Sequence, residues 1–120
     1  MESINRCGLG RMGEEIAADY LGRNNYSILD RNYRAGKLGE LDIIARESGY
    51  ICFIEVKTRR NTLFGMPSEA VGFKKRNNIR RLAYVYLKSH NLMDCDVRFD
   101  VVEVLIQASG NSINIIKNAF

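Results

Sequence analysis

Two short stretches of the chain hold residues suited to chemistry: Gly39-Glu40-Leu41-Asp42 and Glu55-Val56-Lys57. They lie in segments rich in Ile, Val and Phe, 38–46 and 50–58, which read as β-strands separated by the turn dipeptide Ser48-Gly49. Side chains alternate between faces along a strand. Glu40, Asp42 and Ile44 therefore share one face and Leu41, Ile43 and Ala45 the other, while Phe53, Glu55 and Lys57 share a face of the next strand. If Ser48-Gly49 closes a two-residue hairpin, Glu47 pairs with Tyr50, Asp42 stands opposite Glu55, and Glu40 stands opposite Lys57. Directly opposed residues have Cβ atoms ~5 Å apart, and opposed like charges cost stability. Two carboxylates so placed need a shared proton or a cation. A hard divalent ion with oxygen ligands, Mg²⁺ or Mn²⁺, meets that need. Lys57 is then placed to reach a phosphate oxygen or the attacking water. Metal, carboxylates and lysine together are the equipment for hydrolysing a phosphodiester. The competing reading is a set of solvated strand charges with Glu40–Lys57 an ordinary ion pair. Glu55 weighs against it, because it interrupts a strongly apolar strand at a position matched to Asp42.

The strands need elements around them. Residues 9–24 show helical spacing, with Leu9, Met12, Ile16 and Tyr20 flanked by Ala17 and Leu21. Residues 26–34 read as a strand, followed by a turn at Ala35-Gly36-Lys37, and residues 59–67 as a loop holding Gly65 and Pro67. A second helix is predicted to start between Ser68 and Phe73 and to run to about His90, with Ile79, Leu82, Ala83 and Tyr86 as its apolar stripe. Strands at 96–106 and, more weakly, 112–117 complete the order α-β-β-β-α-β-β. That order predicts an α/β fold, a mixed sheet flanked by helices. At 120 residues the chain has room for one core, so a single domain spanning 1–120 is expected.

Composition narrows the chemistry further. The chain is 46% apolar and 27% charged, as in ordinary globular proteins. The net charge of +4 is unevenly spread: residues 57–88 hold nine basic residues and one acidic residue, Glu69, leaving the remainder net negative. Lys74, Arg81 and Lys88 recur every seven residues opposite the apolar stripe, and Arg59 and Arg60 follow Lys57. A basic helix face is commonly only solvated, but beside an acidic cluster it suits a phosphate backbone. Arg59, Arg60, Lys74, Lys75, Arg76 and Arg81 are the candidate nucleic-acid contacts, with Tyr84 on the same face. One histidine, His90, excludes multi-histidine metal sites and paired-histidine mechanisms within one chain; it ends the second helix, where a cation is favoured. Cys7, Cys52 and Cys95 are far apart and form no Cys-x-x-Cys, which argues against a disulfide framework or zinc knuckle. Cys52, inside an apolar run, reads as a buried thiol. Asp100, in Arg98-Phe99-Asp100, is expected to pair with a neighbouring arginine. Gly8-Leu9-Gly10-Arg11-Met12-Gly13 matches a dinucleotide fingerprint in letters only, since that motif needs a strand ahead of it. No apolar run approaches membrane-spanning length and Met1–Arg6 lacks a signal-peptide core, so a soluble cytoplasmic protein is expected.

An aspartate followed by Glu-x-Lys on the adjacent strand, after a helix carrying a glutamate, resembles the PD-(D/E)xK nuclease superfamily, which includes archaeal Holliday-junction resolvases and type II restriction enzymes. More closely, the chain resembles the bacterial YraN family (UPF0102). The resemblance runs over roughly residues 8–104. It is carried by Gly10-Arg11-Met12-Gly13-Glu14, Asn32-Tyr33-Arg34, Gly39-Glu40-Leu41-Asp42-Ile43-Ile44-Ala45, Phe53-Ile54-Glu55-Val56-Lys57-Thr58-Arg59, Phe64-Gly65, Glu69-Ala70-Val71 and Arg98-Phe99-Asp100-Val101-Val102. Leu41 stands where the superfamily name has proline. The resemblance implies a restriction-endonuclease-like fold. It implies Asp42 and Glu55 as metal ligands, with the Val56 carbonyl as a third oxygen, and Lys57 as the catalytic lysine. Glu14 is implied as the supporting first-helix glutamate, where spacing alone does not separate it from Glu15; Glu40 and Thr58 support. The implied activity is Mg²⁺- or Mn²⁺-dependent hydrolysis of DNA phosphodiester bonds, on branched or repair and recombination intermediates. Two alternatives stand beside it: a nucleic-acid-binding module that keeps the fold without cleaving, and a scaffold offering its basic helix to an acidic partner. Resolvase relatives act as dimers, so a homodimer is left open.

Overall fold

The computed structural model describes residues 6–60 and 72–120. Their elements follow the expected order: α1 (Arg6–Arg23), β1 (Ser27–Arg34), β2 (Glu40–Glu47), β3 (Tyr50–Arg59), α2 (Phe73–Ser89), β4 (Asp96–Leu105) and β5 (Ser112–Ile116). Of the expected loop, Arg59 closes β3; residues 61–67 lie outside the described residues, as do Glu69-Ala70-Val71. The strands form one five-stranded mixed sheet in the order β1-β2-β3-β4-β5, antiparallel except for the parallel β3–β4 pair. A parallel pair needs a crossover, and α2 lies in that connection.

Two apolar clusters cover the sheet. Ala17 and Leu21 of α1 pack with Ile43, Ala45, Cys52, Ile54, Val56, Val102 and Val104. Ile79, Leu82, Ala83, Tyr86 and Leu87 of α2 pack with Leu41, Ile44, Ile51 and Phe53. On β3 the alternation is strict, with Ile51 and Phe53 against α2 and Cys52 and Ile54 against α1. Each fully buried large aliphatic contributes ~1.5–3 kcal/mol, which is what fixes the sheet between its helices. Helix α1 sits close to β3 because Gly13 has no side chain: a Cβ there would overlap Thr58. The last glycine of the fingerprint-like run is thus a packing position that leaves room for the Thr58 side chain. Cys52 is buried, and burial pushes its thiol pKa up to about 12. Among the described residues, no helix is long and apolar enough to cross a membrane.

The β2–β3 hairpin determines the site. Ser48 and Gly49 take φ of 51° and 81°, the two left-handed positions that a two-residue type I′ turn requires. The register runs from Glu47↔Tyr50 to Ile43↔Ile54, as expected. One step further the ladder ends. Asp42 Oδ2 accepts the backbone N–H of Val56 at 2.8 Å, so a side chain takes a donor just past the last paired residues. Three expectations fail there for the same reason. Asp42 is not paired with Glu55 in the ladder. Leu41 joins Ile44 in the α2 cluster instead of sharing a face with Ile43 and Ala45. Glu40 does not oppose Lys57: it pairs across β1 with Arg34, whose guanidinium lies 2.6 Å away.

At the turn end of the hairpin lies a second polar cluster. Arg98 donates to Asp100 Oδ1 at 2.9 Å, to the Tyr26 hydroxyl at 2.9 Å and to Glu47 Oε1 at 2.7 Å. The Tyr26 hydroxyl donates to Asp100 Oδ2 at 3.3 Å, and the Asn118 N–H donates to Asp100 Oδ1 at 2.9 Å. Asp100 thus pairs with Arg98, as expected from the sequence.

Candidate metal centre

At the opposite end of the hairpin, where β2 leaves β3, three acids from two elements converge. Oxygens of Glu14 (α1), Glu40 and Asp42 (β2) lie within 4.8 Å of one another. Asn32 of β1 binds two of them, its Nδ2 donating to Glu14 Oε1 at 2.7 Å and to Glu40 Oε1 at 2.6 Å. Asn32 adopts φ 54°, a left-handed conformation that asparagine tolerates better than most residues. It was not among the candidates read from the sequence. The available signal was an asparagine within a strand-like run; its position depends on a register shift between Ile28 and Asp30 that no pattern reveals. Glu14 rather than Glu15 turns to this cluster: Glu15 is exposed and pairs with Arg31 at 2.9 Å.

Glu55 stands beside the three acids and is only 2% exposed. Its Oε1 is shared by Lys57 Nζ, at 3.3 Å, and by Lys75 Nζ from the first turn of α2. Its Oε2 is buried with no hydrogen-bond partner among the described residues. Burial, and then the charge of Glu55, push the Asp42 pKa up to about 8, against the lowering effect of the Val56 N–H. Burial lowers the Lys57 pKa although Glu55 opposes it. Burial works the same way on Lys75, but its contacts with Glu55 outweigh it and the pKa rises.

A cavity of about 460 Å³ gathers Glu14, Asp42, Glu55, Val56, Lys57, Thr58, Arg59, Arg60 and Lys75. Glu40 lines an adjoining cavity with Arg11, Arg31 and Arg34. The basic residues nominated from the sequence separate into groups. Arg59, Arg60 and Lys75 line the acid cavity, and Lys74 lines a neighbouring one that also reaches Asp42. Arg76 lies over the Phe120 ring, 5.7 Å from its centroid. Arg81 and Tyr84 share a third cavity further along α2. His90 caps α2 and stacks on Tyr86 with ring centroids 4.0 Å apart, away from the acids.

The gathered carboxylates repel one another, and Arg34, Lys57 and Lys75 offset part of that charge. The donor set is oxygen-rich, contains a buried carboxylate oxygen without a partner among the described residues, and suits a hard divalent cation. Asp42 and Glu55, with Glu14 and Glu40 adjoining, are the residues that would hold it.

Residues 13–104 match Uncharacterised protein family UPF0102. A UPF0102 protein of Acetivibrio thermocellus is 49% identical over 97% of this chain and 93% of its own length. Those of Caldicellulosiruptor saccharolyticus and Dictyoglomus turgidum are 46% and 39% identical, each over 98% of this chain and 100% of their own length. The chain belongs to the UPF0102 family.

Proposed function

We propose that this protein is a metal-dependent nuclease of the PD-(D/E)xK type, with a restriction-endonuclease-like fold, that hydrolyses phosphodiester bonds in DNA. The observation that carries the reading is Glu55: a buried carboxylate with one oxygen bound by two lysines and the other without a partner among the described residues, lining a cavity that also holds Asp42 and Glu14. Mg²⁺ or Mn²⁺ bound there supplies a Lewis acid that polarises the phosphate and acidifies water.

The chain's own residues do the rest. Lys57, anchored at 3.3 Å from Glu55, holds its ammonium where charge develops on the phosphate oxygens. Arg59 and Arg60, lining the same cavity, receive the flanking phosphates. Asn32 fixes Glu14 and Glu40 in orientation. In the reaction the water oxygen bonds to phosphorus and a P–O ester bond breaks. The water's proton leaves to solvent and the departing alkoxide takes one up. The polyanionic substrate matches the basic segment 57–88, and branched repair or recombination intermediates are the substrates that the family resemblance favours.

The test is incubation with Mn²⁺ or Mg²⁺ and branched, flapped, single-stranded and duplex DNA, beside Asp42→Ala and Lys57→Ala. Cleavage by the wild type that is lost in both variants supports the proposal. Salt-dependent binding without cleavage on every substrate would favour the non-cleaving module.

A further inference from the structure

We propose that Lys75 is the built-in counter-cation of this site: in the metal-free protein it holds the charge of Glu55, and a divalent ion must displace it to occupy that carboxylate. The inference rests on the metal reading given above and assigns a role to a residue that the sequence placed among surface DNA contacts.

The geometry distinguishes two lysines that meet one oxygen. Lys57 and Lys75 both approach Glu55 Oε1. Two ammonium groups on one carboxylate oxygen repel each other, and are held together only where surrounding negative charge exceeds what one of them neutralises. Asp42 and Glu14 provide that excess in the same cavity. A divalent cation at the Oε2 side of Glu55 and the ammonium groups at Oε1 then draw on the same negative charge, and the cation's two charges repel the ammonium that is free to leave. The lysines differ in freedom to yield. The Lys57 side chain is 17% exposed and comes from β3, the strand that carries Glu55 itself; that of Lys75 is 45% exposed and comes from α2. Lys75 can withdraw into solvent by rotating its own stem, with no change in the sheet. Lys57 is the less exposed of the two and shares its strand with Glu55. Linkage makes the effect reciprocal: whatever Lys75 costs the metal in affinity, the metal costs Lys75 in occupancy of Glu55.

Two measurements without DNA test this. The first titrates Mn²⁺ calorimetrically into the wild type, Lys75→Met and Lys75→Arg. Lys75→Met should bind Mn²⁺ more tightly, within the ~5- to 150-fold span usual for coupled sites, while Lys75→Arg stays near wild type. The second follows acylation of the Lys75 amine in the wild type by mass spectrometry, which serves even if a variant fails to fold; Mn²⁺ should accelerate it. Equal or weaker Mn²⁺ binding by a folded Lys75→Met protein, or a Lys75 acylation rate that Mn²⁺ leaves unchanged, would overturn the counter-cation role while leaving the metal site standing. A wild type that takes up no Mn²⁺ removes the metal reading itself, and this inference with it.

Discussion

Two clusters of buried charge sit at opposite ends of the β2–β3 hairpin and use the same side-chain chemistry to different ends. At the turn, Glu47 and Asp100 meet Arg98 and Lys117, two charges of each sign, and Tyr26, Ser48 and the Asn118 N–H satisfy the remaining oxygens. At the open end, Glu14, Glu40, Asp42 and Glu55 converge on two lysines and the largely exposed Arg34. There one buried oxygen has no partner among the described residues and one carboxyl is pushed up to about 8. The first cluster is complete within the chain. In the second, the four acids outnumber the three basic groups that meet them among the described residues. Buried charge that is balanced and hydrogen-bonded serves the fold, and buried charge left in excess marks a place where something binds.

The largest effect should come from breaking the complete cluster. Arg98→Met leaves Asp100 buried and unpaired, and should lower stability in urea denaturation by ~3–5 kcal/mol. The open cluster should respond with the opposite sign. Asp42→Asn removes a like charge and keeps an oxygen for the Val56 N–H, so it should raise metal-free stability at pH 9 by ~2–4 kcal/mol, while abolishing cleavage.

The two ends also differ in pH response. Ser48 and then Arg98 hold the Glu47 pKa down at about 2, below its ordinary 4.5. The unfolded chain takes up that proton first, so this contribution is present at neutral pH and is lost as pH falls from about 4.5 to 2. Glu47→Gln should flatten an acid limb of ~2–3 kcal/mol in pH-dependent unfolding. The smallest effect lies where α1 meets β3 beside the open cluster. Gly13→Ala forces Thr58 aside, and should cost ~1 kcal/mol in thermal unfolding despite the better helix propensity of alanine.

What the sequence revealed of this contrast follows the range of the interactions. The hairpin register was legible because Ser48-Gly49 can adopt two left-handed residues in a row, a local property. The order of elements was legible from periodicity, and Asp42, Glu55 and Lys57 from an acid and a lysine interrupting apolar strands. The Glu40–Lys57 pairing was misread because alternation was extended past the point where the Asp42 side chain takes a backbone donor. Asn32 stayed hidden because it meets Glu14 eighteen residues away in sequence, through a bulged β1. Lys75 stayed hidden within Lys74-Lys75-Arg76, since nothing local tells which of three adjacent cations turns inward. The Arg98 pairing with Asp100 was legible two residues away, whereas its bond to Tyr26 spans 72.

The most direct test of the contrast is unfolding free energy at pH 5 and pH 8, with and without Mn²⁺, for the wild type and Asp42→Asn. Asp42 keeps a proton in the folded chain that the unfolded chain releases above about pH 4, so metal-free stability should fall as pH rises towards 8. Mn²⁺ should restore it at pH 8 far more than at pH 5, and Asp42→Asn should show neither the fall nor the rescue. A metal-free wild type equally stable at both pH values, or an equal gain from Mn²⁺ in both proteins, would contradict the claim that this end of the sheet is built around a missing cation.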